Sequence, residues 1–298
     1  MQNQHQHRYA VLAMLTATLA FAVMDMAIKL LSEHYPSVQV VFLRAASSLP
    51  VVLLVAPFWG GYRQLKTQRL KAHILRAALS FAMLVLVVYA FRQLTLADAY
   101  AIFFAGPLFI TALSQPLLGE QVGRHRWIAV VVGFIGVLVV ANPQGEGTMS
   151  LGALAALIAA LCYAAVAITM RKLSSTESSI CISFYFLVFL GIGSGMAASF
   201  DWQSIQWQAH WAIIATVGVA GAVGMITLAM AFRSSQASAI APFEYTALLW
   251  AVALDFLVWK TIPEQHLYLG GAIIIASGVY IIHREHRQNR LNKAATQP

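Results

Sequence analysis

Long apolar segments recur along the whole chain, and many of them approach twenty residues. A helix needs about 20 apolar residues to cross the roughly 30 Å hydrocarbon core of a bilayer. Because lipid offers the backbone no hydrogen-bond partners, a spanning chain forms either helices or a closed β-barrel. Barrel strands alternate apolar and polar residues, whereas the run IAVVVGFIGVLVVA at residues 128–141 does not alternate. The pattern therefore predicts an all-α integral membrane protein.

The composition supports a membrane environment and argues against a nucleic-acid partner. Of the 298 residues, 60% are hydrophobic and 10% are charged, whereas soluble domains carry about 25% charged residues. The net charge of +8 would suit nucleic-acid binding, but the basic residues sit at the ends of the predicted helices. We therefore expect a lipid bilayer and a small-molecule substrate as partners, and no nucleic acid.

The apolar segments and the breakers between them predict ten helices. Breakers such as Pro36, Gly60-Gly61, Asn142–Gly145 and Pro263 mark the joints. The short loops leave no room for a soluble domain. The predicted helices span residues 9–31, 38–58, 72–92, 96–118, 125–141, 149–171, 179–200, 209–232, 236–259 and 266–283.

Lysine and arginine predict the orientation, because they are enriched in cytoplasmic loops. With a cytoplasmic N-terminus, fifteen basic residues fall inside, and only Arg92 and Lys260 fall outside. Lys29 and Arg44 lie within predicted helices. We therefore predict that both termini are cytoplasmic, in a multi-pass protein of the bacterial inner membrane.

The two halves of the chain resemble each other at an offset of about 142 residues. AIKLLS at Ala27–Ser32 aligns with TMRKLS at Thr169–Ser174, and GVLVV at Gly136–Val140 aligns with GVYII at Gly278–Ile282. Each half holds five helices, so the second half is inserted upside down. Such inverted repeats are characteristic of secondary transporters. We predict one five-helix repeat over residues 1–144 and another over 145–298, the second with a basic cytoplasmic tail.

Several motifs resemble the drug/metabolite transporter superfamily, and within it the ten-helix EamA-type members. They are MDMAIKLL, QVVFLR and AFRQLTLADAYAIFFAGPLF in the first half, and AFRSSQASAIAPFEYTALLWA and IIIASGVYII in the second. The pattern is most similar to S-adenosylmethionine- or riboflavin-type metabolite carriers. The resemblance implies the fold and transport activity. The chain departs from the family at Lys260–Pro263, where a Gly-Glu-x-Pro turn is usual, and at Asp255, where a small residue is common.

Three charged residues flank the turn between the first two predicted helices, at positions that lie within the membrane. Asp25 and Lys29 share a helix face, while Arg44 lies on the second helix, about 9 Å from the same end as Asp25. A charge at a helix centre costs about 2.5–3.5 kcal/mol, and pairing lowers that cost. Asp25 and Arg44 are therefore candidates to bind a zwitterionic substrate or to close an outer gate. The alternative is an ion-pair staple between the two helices.

Glu244 is our first candidate for substrate or proton binding. It is placed near the middle of the ninth predicted helix, with no basic residue close by in sequence and with Pro242 opening the backbone just before it. Burial there would favour the neutral, protonated carboxyl. Such a group suits proton coupling or a counter-ion for a cationic substrate. The alternative is a protonated, hydrogen-bonded glutamic acid of the core.

Further candidates surround these charges. Pro107 and Pro242 are predicted helix kinks, and Lys29, Asp98 and Asp255 are predicted to form an ion pair or gate, with an interfacial cap as the alternative for the two aspartates. Aromatic rings near a charge suit a substrate with a flat or apolar part, and for each ring the alternative is packing between helices. The predicted cavity rings are Tyr89, Phe104, Tyr163, Tyr245 and Trp250.

The chain carries no motif for nucleotide hydrolysis, zinc-dependent proteolysis or a serine nucleophile. Cys162 and Cys181 fall on different predicted helices in apolar surroundings and are interpreted as packing residues.

We therefore predict a secondary carrier, not an enzyme, with no cofactor and no metal site, as a monomer or homodimer. It would move a small amphiphilic, charged or zwitterionic metabolite by alternating access. The alternatives are a proton-coupled exporter of metabolites or drugs and, more weakly, a non-transporting membrane enzyme or scaffold.

Overall fold

The computed structural model describes residues 2–59, 61–118, 123–141, 150–174, 176–234 and 241–295, and these residues are helical apart from turns and loops. The α-helices are α1 Gln2–Ser32, α2 Ser37–Val55, α3 Leu70–Gln93, α4 Leu96–Phe103, α5 Gly106–Leu118, α6 Arg124–Ala141, α7 Leu151–Ser174, α8 Ser179–Ala198, α9 Trp207–Ser234, α10 Thr246–Leu254 and α11 Gln265–Ala295.

Among these residues, seven helical segments are long and apolar enough to cross a membrane. The fifth predicted span is shorter, with an apolar stretch over Trp127–Val140.

Helix ends follow local signals. Pro36 precedes α2 with φ −53°, and the hydroxyls of Thr95 and Ser178 accept the backbone N–H groups of Asp98 and Cys181 at the starts of α4 and α8. Most predicted helices agree with the structure to within a few residues where both can be compared, but α1 begins earlier, at Gln2, and α11 continues further, to Ala295, than the predicted ranges 9–31 and 266–283.

The fourth and ninth spans are interrupted helices. In the fourth span, α4 stops at Phe103 and α5 begins at Gly106, with Pro107 in its first turn. The described part of the ninth span comprises a 3₁₀ turn, Ala241–Tyr245, which contains Pro242, then α10 and a π turn, Asp255–Trp259. Residues 236–240 of the predicted ninth helix lie outside the described residues. Proline cannot donate the backbone bond that an uninterrupted helix requires, so interruptions at both prolines have a local cause.

Helix packing shows that the two halves are related by a pseudo-twofold axis. Helix α1 packs along α9, and its repeat equivalent α7 packs along α3. The same correspondence relates α2 against α9 to α8 against α3, and α5 against α7 to the ninth span against α1. The self-equivalent pairs are α2 with α8 and α6 with α11. The fold is therefore all-α, with ten spans as two inverted five-helix repeats whose main contacts run across the two halves.

The two ends of the bundle are defined by the chain itself. We call the end with the α1–α2 turn the hairpin face, and the end where α1 begins and α11 ends the terminal face. The starts of α4 and α11 and the residue Asp255 also lie at the hairpin face. His266 at the start of α11 contacts Asp98 of α4, and Asp255 accepts the backbone N–H of Leu96 at the start of α4. The buried apolar core lies between the faces, mainly among α1, α2, α3, α4 and α6.

Candidate functional site

A cavity of about 280 Å³ lies between the two halves. Its walls come from α1, α2, α3, α4, α5 and α7 together with the 3₁₀ turn that opens the ninth span. Interrupted helices at such a place are typical of transporter binding sites, because an irregular backbone is tolerated where it lines a cavity. The lining comprises Phe21, Met24, Asp25, Arg44, Met83, Leu84, Val87, Tyr100, Phe103, Phe104, Pro107, Ala159, Ala160, Tyr163 and Glu244.

Asp25 lies in this cavity, and its carboxylate is held by a neighbouring helix. The Tyr100 hydroxyl of α4 donates a hydrogen bond to Asp25 Oδ2 at 2.7 Å. Tyr100 itself is buried, with 8% of its surface exposed. The bond fixes the position of Asp25 Oδ2, while the other carboxylate oxygen, Oδ1, is not held by it. A hydrogen bond to an ionised group is worth about 1.5–3 kcal/mol, so Tyr100 is a substantial part of this site.

Arg44 lies on the same cavity wall but makes no close ion pair. Among the described residues, no carboxylate oxygen lies within 4.0 Å of its guanidinium. Asp25 and Arg44 line the same cavity and attract each other across it, while the hydrogen-bond partner of Asp25 is Tyr100. Lys29 differs from the predicted pairing, because its ion-pair partner among the described residues is Asp255. A guanidinium held in a cavity with open donors can receive a carboxylate in bidentate fashion.

Glu244 also lines the cavity, although its place in the helix differs from the prediction. It lies in the 3₁₀ turn Ala241–Tyr245, and the α-helix α10 starts after it at Thr246. The carboxyl is half-buried, and no hydrogen bond or ion pair joins it to another described residue. The cavity thus holds two acidic groups and one basic group, contributed by both halves of the chain.

The predicted rings divide into two groups. Phe104 and Tyr163 line the cavity, and Phe104 also meets the Tyr245 ring edge-on at 5.0 Å. Tyr245 is buried against Gly278 of α11, and Trp250 donates to the Thr18 hydroxyl of α1 at 3.2 Å. These two side chains, like Tyr89 on α3, are absent from the cavity lining. Their alternative interpretation, packing between helices, fits the geometry.

The predicted gate residues lie at the hairpin face. The Lys29 ammonium lies 3.7 Å from Asp255 Oδ1, donates to the Leu94 carbonyl at 2.8 Å and lies over the Trp259 ring at 4.6 Å. We call Lys29, Asp255 and Trp259 the latch. It joins α1 of the first half to the ninth span of the second, a few ångströms beyond the cavity wall formed by Asp25.

Asp98 occupies a separate position on the same face. Its carboxylate accepts from the Thr95 hydroxyl at 2.7 Å, and its other oxygen lies 3.7 Å from His266. This arrangement is that of a residue in the first turn of α4, where a carboxylate also meets the positive end of the helix dipole. Asp98 is therefore close to the latch without contacting Lys29.

Sequence reasoning missed Tyr100 and Phe21 as cavity residues. Tyr100 stands in ADAYAIFF, four residues before Phe104, and therefore on the same helix face. That spacing was a usable signal. Phe21 is four residues before Asp25, so the same argument would have found it.

The comparisons with known proteins agree with this architecture. Residues 8–142 and 150–283 each match the EamA-like transporter family. A crystal structure superimposes with a TM-score of 0.66, covering 91% of this chain and 96% of that chain at 16% identity. At that identity the likeness shows the fold alone.

Three relatives carry transporter names. A riboflavin transporter of Vibrio cholerae is 30% identical, covering 97% of this chain and 98% of the relative. An S-adenosylmethionine uptake transporter of Rickettsia felis is 30% identical over 88% of each chain. The pseudopaline exporter CntI of Pseudomonas aeruginosa is 26% identical, covering 90% of this chain and 93% of the relative.

These matches confirm the resemblance seen in the motifs, and the names are those of transporters, not of enzymes. Both halves of the chain match the same family separately, as the repeated packing of the two halves requires. The chain is a multi-pass membrane protein that belongs to the EamA-like transporter family.

Proposed function

We propose that this protein is a secondary active transporter that carries a small amphiphilic, charged or zwitterionic metabolite across the inner membrane by alternating access. The observation that carries the proposal is the cavity between the two halves, where Asp25, Arg44 and Glu244 lie among aromatic rings. Transporters with inverted repeats bind their substrates at such an interface. The two moving units would be the repeats over residues 1–144 and 145–298.

The cavity chemistry favours a substrate with a flat ring and charged groups. Phe21, Phe104 and Tyr163 offer ring faces and edges for an aromatic or apolar part. Arg44 would bind a carboxylate, and Asp25 or Glu244 would bind an ammonium or sulfonium group. At about 280 Å³ the cavity is near the lower limit of about 300–1,000 Å³ for ligand pockets. S-adenosylmethionine-like metabolites and amino acids carry such charges and therefore head the candidates, whereas riboflavin, which has a flat ring but no carboxylate or ammonium group, would use the rings alone.

The latch supports an alternating-access cycle. The latch joins α1 to the ninth span at the hairpin face and would close that face, while the cavity lies on its terminal-face side. The distribution of lysine and arginine favours an orientation with the hairpin face outside and both termini in the cytoplasm. In this arrangement the cavity would be closed to the outside, and opening would require Lys29 and Asp255 to separate.

A proton-coupled exporter is the second candidate function. The likeness to the pseudopaline exporter CntI favours it, and Glu244 supplies a carboxyl with no partner among the described residues. In that mechanism Glu244 would exchange a proton for a substrate on each cycle. The two candidates share the cavity and differ in coupling and direction.

Transport by purified protein in proteoliposomes tests the proposal. Labelled riboflavin, S-adenosylmethionine and amino acids would be offered with and without an imposed pH gradient. We expect saturable movement of at least one of them, competed by its unlabelled form. If none of these compounds moves, with or without the gradient, the proposal for this substrate class is wrong.

Substitutions at the cavity make the test specific. Asp25→Asn, Arg44→Gln and Glu244→Gln should each lower kcat/KM about tenfold or more, because each removes a charge expected to contact the substrate; one lost charged hydrogen bond is worth about 1.5–3 kcal/mol. Asp201→Asn and Arg124→Gln remove exposed charges outside the cavity and should transport as the wild type does. Proton coupling through Glu244 is excluded if Glu244→Gln still accumulates substrate in response to the pH gradient.

A further inference from the structure

A group of metal-binding side chains lies outside the cavity, near the terminal face. It consists of His73 on α3, Glu177 in the α7–α8 connection and Cys181 in the first turn of α8. One donor atom from each residue lies within 4.8 Å of the others. The sequence interpretation missed this group because His73 is about 100 residues from its two neighbours.

The environment of the His73 imidazole is a second, independent observation. Its side chain is 1% exposed, and neither ring nitrogen has a hydrogen-bond partner among the described residues. A buried polar atom without a partner costs about 1–3 kcal/mol, so this arrangement is unfavourable unless something binds the ring. Tyr185 packs on the imidazole with the ring centroids 4.9 Å apart, which holds the ring in place.

The other two donors are already positioned. The Cys181 thiol lies 3.3 Å from Glu177 Oε2, close to the roughly 3.5 Å that separates neighbouring ligand atoms around a tetrahedral zinc ion. The Thr67 hydroxyl donates to Glu177 Oε1 at 2.8 Å, which orients the carboxylate and leaves Oε2 directed at the thiol. Outer partners of this kind commonly fix metal ligands.

We propose that His73, Glu177 and Cys181 form a binding site for a zinc ion, with water as the fourth ligand. One sulfur, one nitrogen and one oxygen donor suit this borderline-soft cation. On binding, the ion displaces the thiol proton, which leaves to solvent. The thiolate and the carboxylate then balance the two charges of Zn²⁺, so the occupied site is neutral. Neutrality matters because the cluster is largely buried near the membrane boundary.

The position of the site gives it a structural consequence. His73 belongs to the first half, and Glu177 and Cys181 belong to the second. A bound ion would therefore link the two halves near the terminal face, opposite the latch. It would favour the conformation in which α3 lies against the start of α8, as it does here.

Zinc binding to the purified full-length protein tests this inference. Protein stripped of metal would be incubated with ZnCl₂, separated from free ion and measured for bound zinc by elemental analysis. We expect about one zinc ion per wild-type chain, as for a single tetrahedral site, and an equal amount in Cys162→Ser, which removes the other cysteine. Cys181→Ser and His73→Gln should lose the ion.

Two further measurements avoid dependence on one variant. Cobalt should give a thiolate-to-metal absorption band with the wild type and with Cys162→Ser. Glu177→Gln keeps an oxygen for the Thr67 hydroxyl and should fold, yet zinc should not raise its melting temperature as it does that of the wild type. The inference fails if the wild type binds much less than one ion, if no thiolate band forms, or if Cys181→Ser binds as much zinc as the wild type.

Discussion

Asp255 shows how a buried charge can be stabilised inside the bundle. Its two oxygens accept the backbone N–H groups of Leu96 and Ala97 at 3.1 and 2.8 Å, and Lys29 lies 3.7 Å away. The N–H groups at a helix start have no intrahelical partners, so the carboxylate completes the start of α4. Nearby, Lys260 has φ 57°, the left-handed region that glycine favours. Lys260 therefore holds a backbone conformation that glycine would adopt more readily.

Removing the Asp255 carboxylate should destabilise the protein strongly. Asp255→Ala leaves two buried N–H groups and the Lys29 ammonium without this acceptor. At about 1–3 kcal/mol for each unsatisfied group, we expect the free energy of unfolding in detergent to fall by about 2–5 kcal/mol. Asp255→Asn keeps an oxygen acceptor and should lose clearly less. Equal losses in the two variants would show that the N–H contacts contribute little.

Helix contacts depend on glycines that let backbones approach. A β-carbon on Gly218 of α9 would lie 2.6 Å from the Ser47 carbonyl oxygen of α2. In the same way Gly136 of α6 and Gly270 of α11 face each other's backbone. Small residues at membrane helix interfaces permit such close packing. Gly193, by contrast, has no atom within 4 Å of the position that its β-carbon would take.

The pair Gly218→Ala and Gly193→Ala separates helix packing from helix propensity. Alanine favours a helix over glycine by about 1 kcal/mol, and this gain is common to both variants. Only Gly218→Ala must push α9 away from the α2 backbone, and overpacking costs about 1–3 kcal/mol. Thermal unfolding in detergent should show Gly193→Ala at or above the wild type and Gly218→Ala below it. The same shift for both variants would contradict a tight α2–α9 contact.

At the level of the whole molecule, the two halves contact each other more than they contact themselves. The cavity and the latch are both built across that boundary, so a relative movement of the halves would change both together. Packed interfaces tend to have discrete arrangements instead of deforming continuously. Holding one face closed should therefore stop the whole cycle.

A chemical cross-link across the hairpin face tests this coupling. Trp259 donates to Glu33 Oε1 at 3.4 Å, which joins the ninth span to the turn that follows α1. In a Cys162→Ser background, Glu33→Cys with Trp259→Cys joined by a bifunctional thiol reagent should lose at least nine-tenths of its transport in proteoliposomes. A cleavable reagent should restore transport on reduction. The variants with Glu33→Cys alone or Trp259→Cys alone, which share Cys181 with the double variant, provide the control when treated in the same way. Undiminished transport by the joined protein would contradict movement at this face.

Much of the fold could be predicted because a bilayer imposes rules that act locally. The length of an apolar run decides whether a segment spans. Pro107 and Pro242 are predicted helix kinks, and they lie beside the break between α4 and α5 and in a 3₁₀ turn, whereas Pro50 lies within the continuous helix α2. Local spacing also identified Asp25, Arg44 and Glu244 as unusual charges. These inferences need only neighbouring residues, so they do not depend on how the helices assemble.

Which side chains lie beside Asp25 and His73 was decided by the tertiary structure alone. Asp25 accepts a hydrogen bond from Tyr100, which lies 75 residues away in the sequence, and His73 lies beside Glu177 and Cys181, about 100 residues away. Each contact depends on how far a helix is rotated and which helix lies beside it. Many rotations bury the same apolar surface, so the pattern of residues specifies helices and their direction, while packing selects which side chains meet.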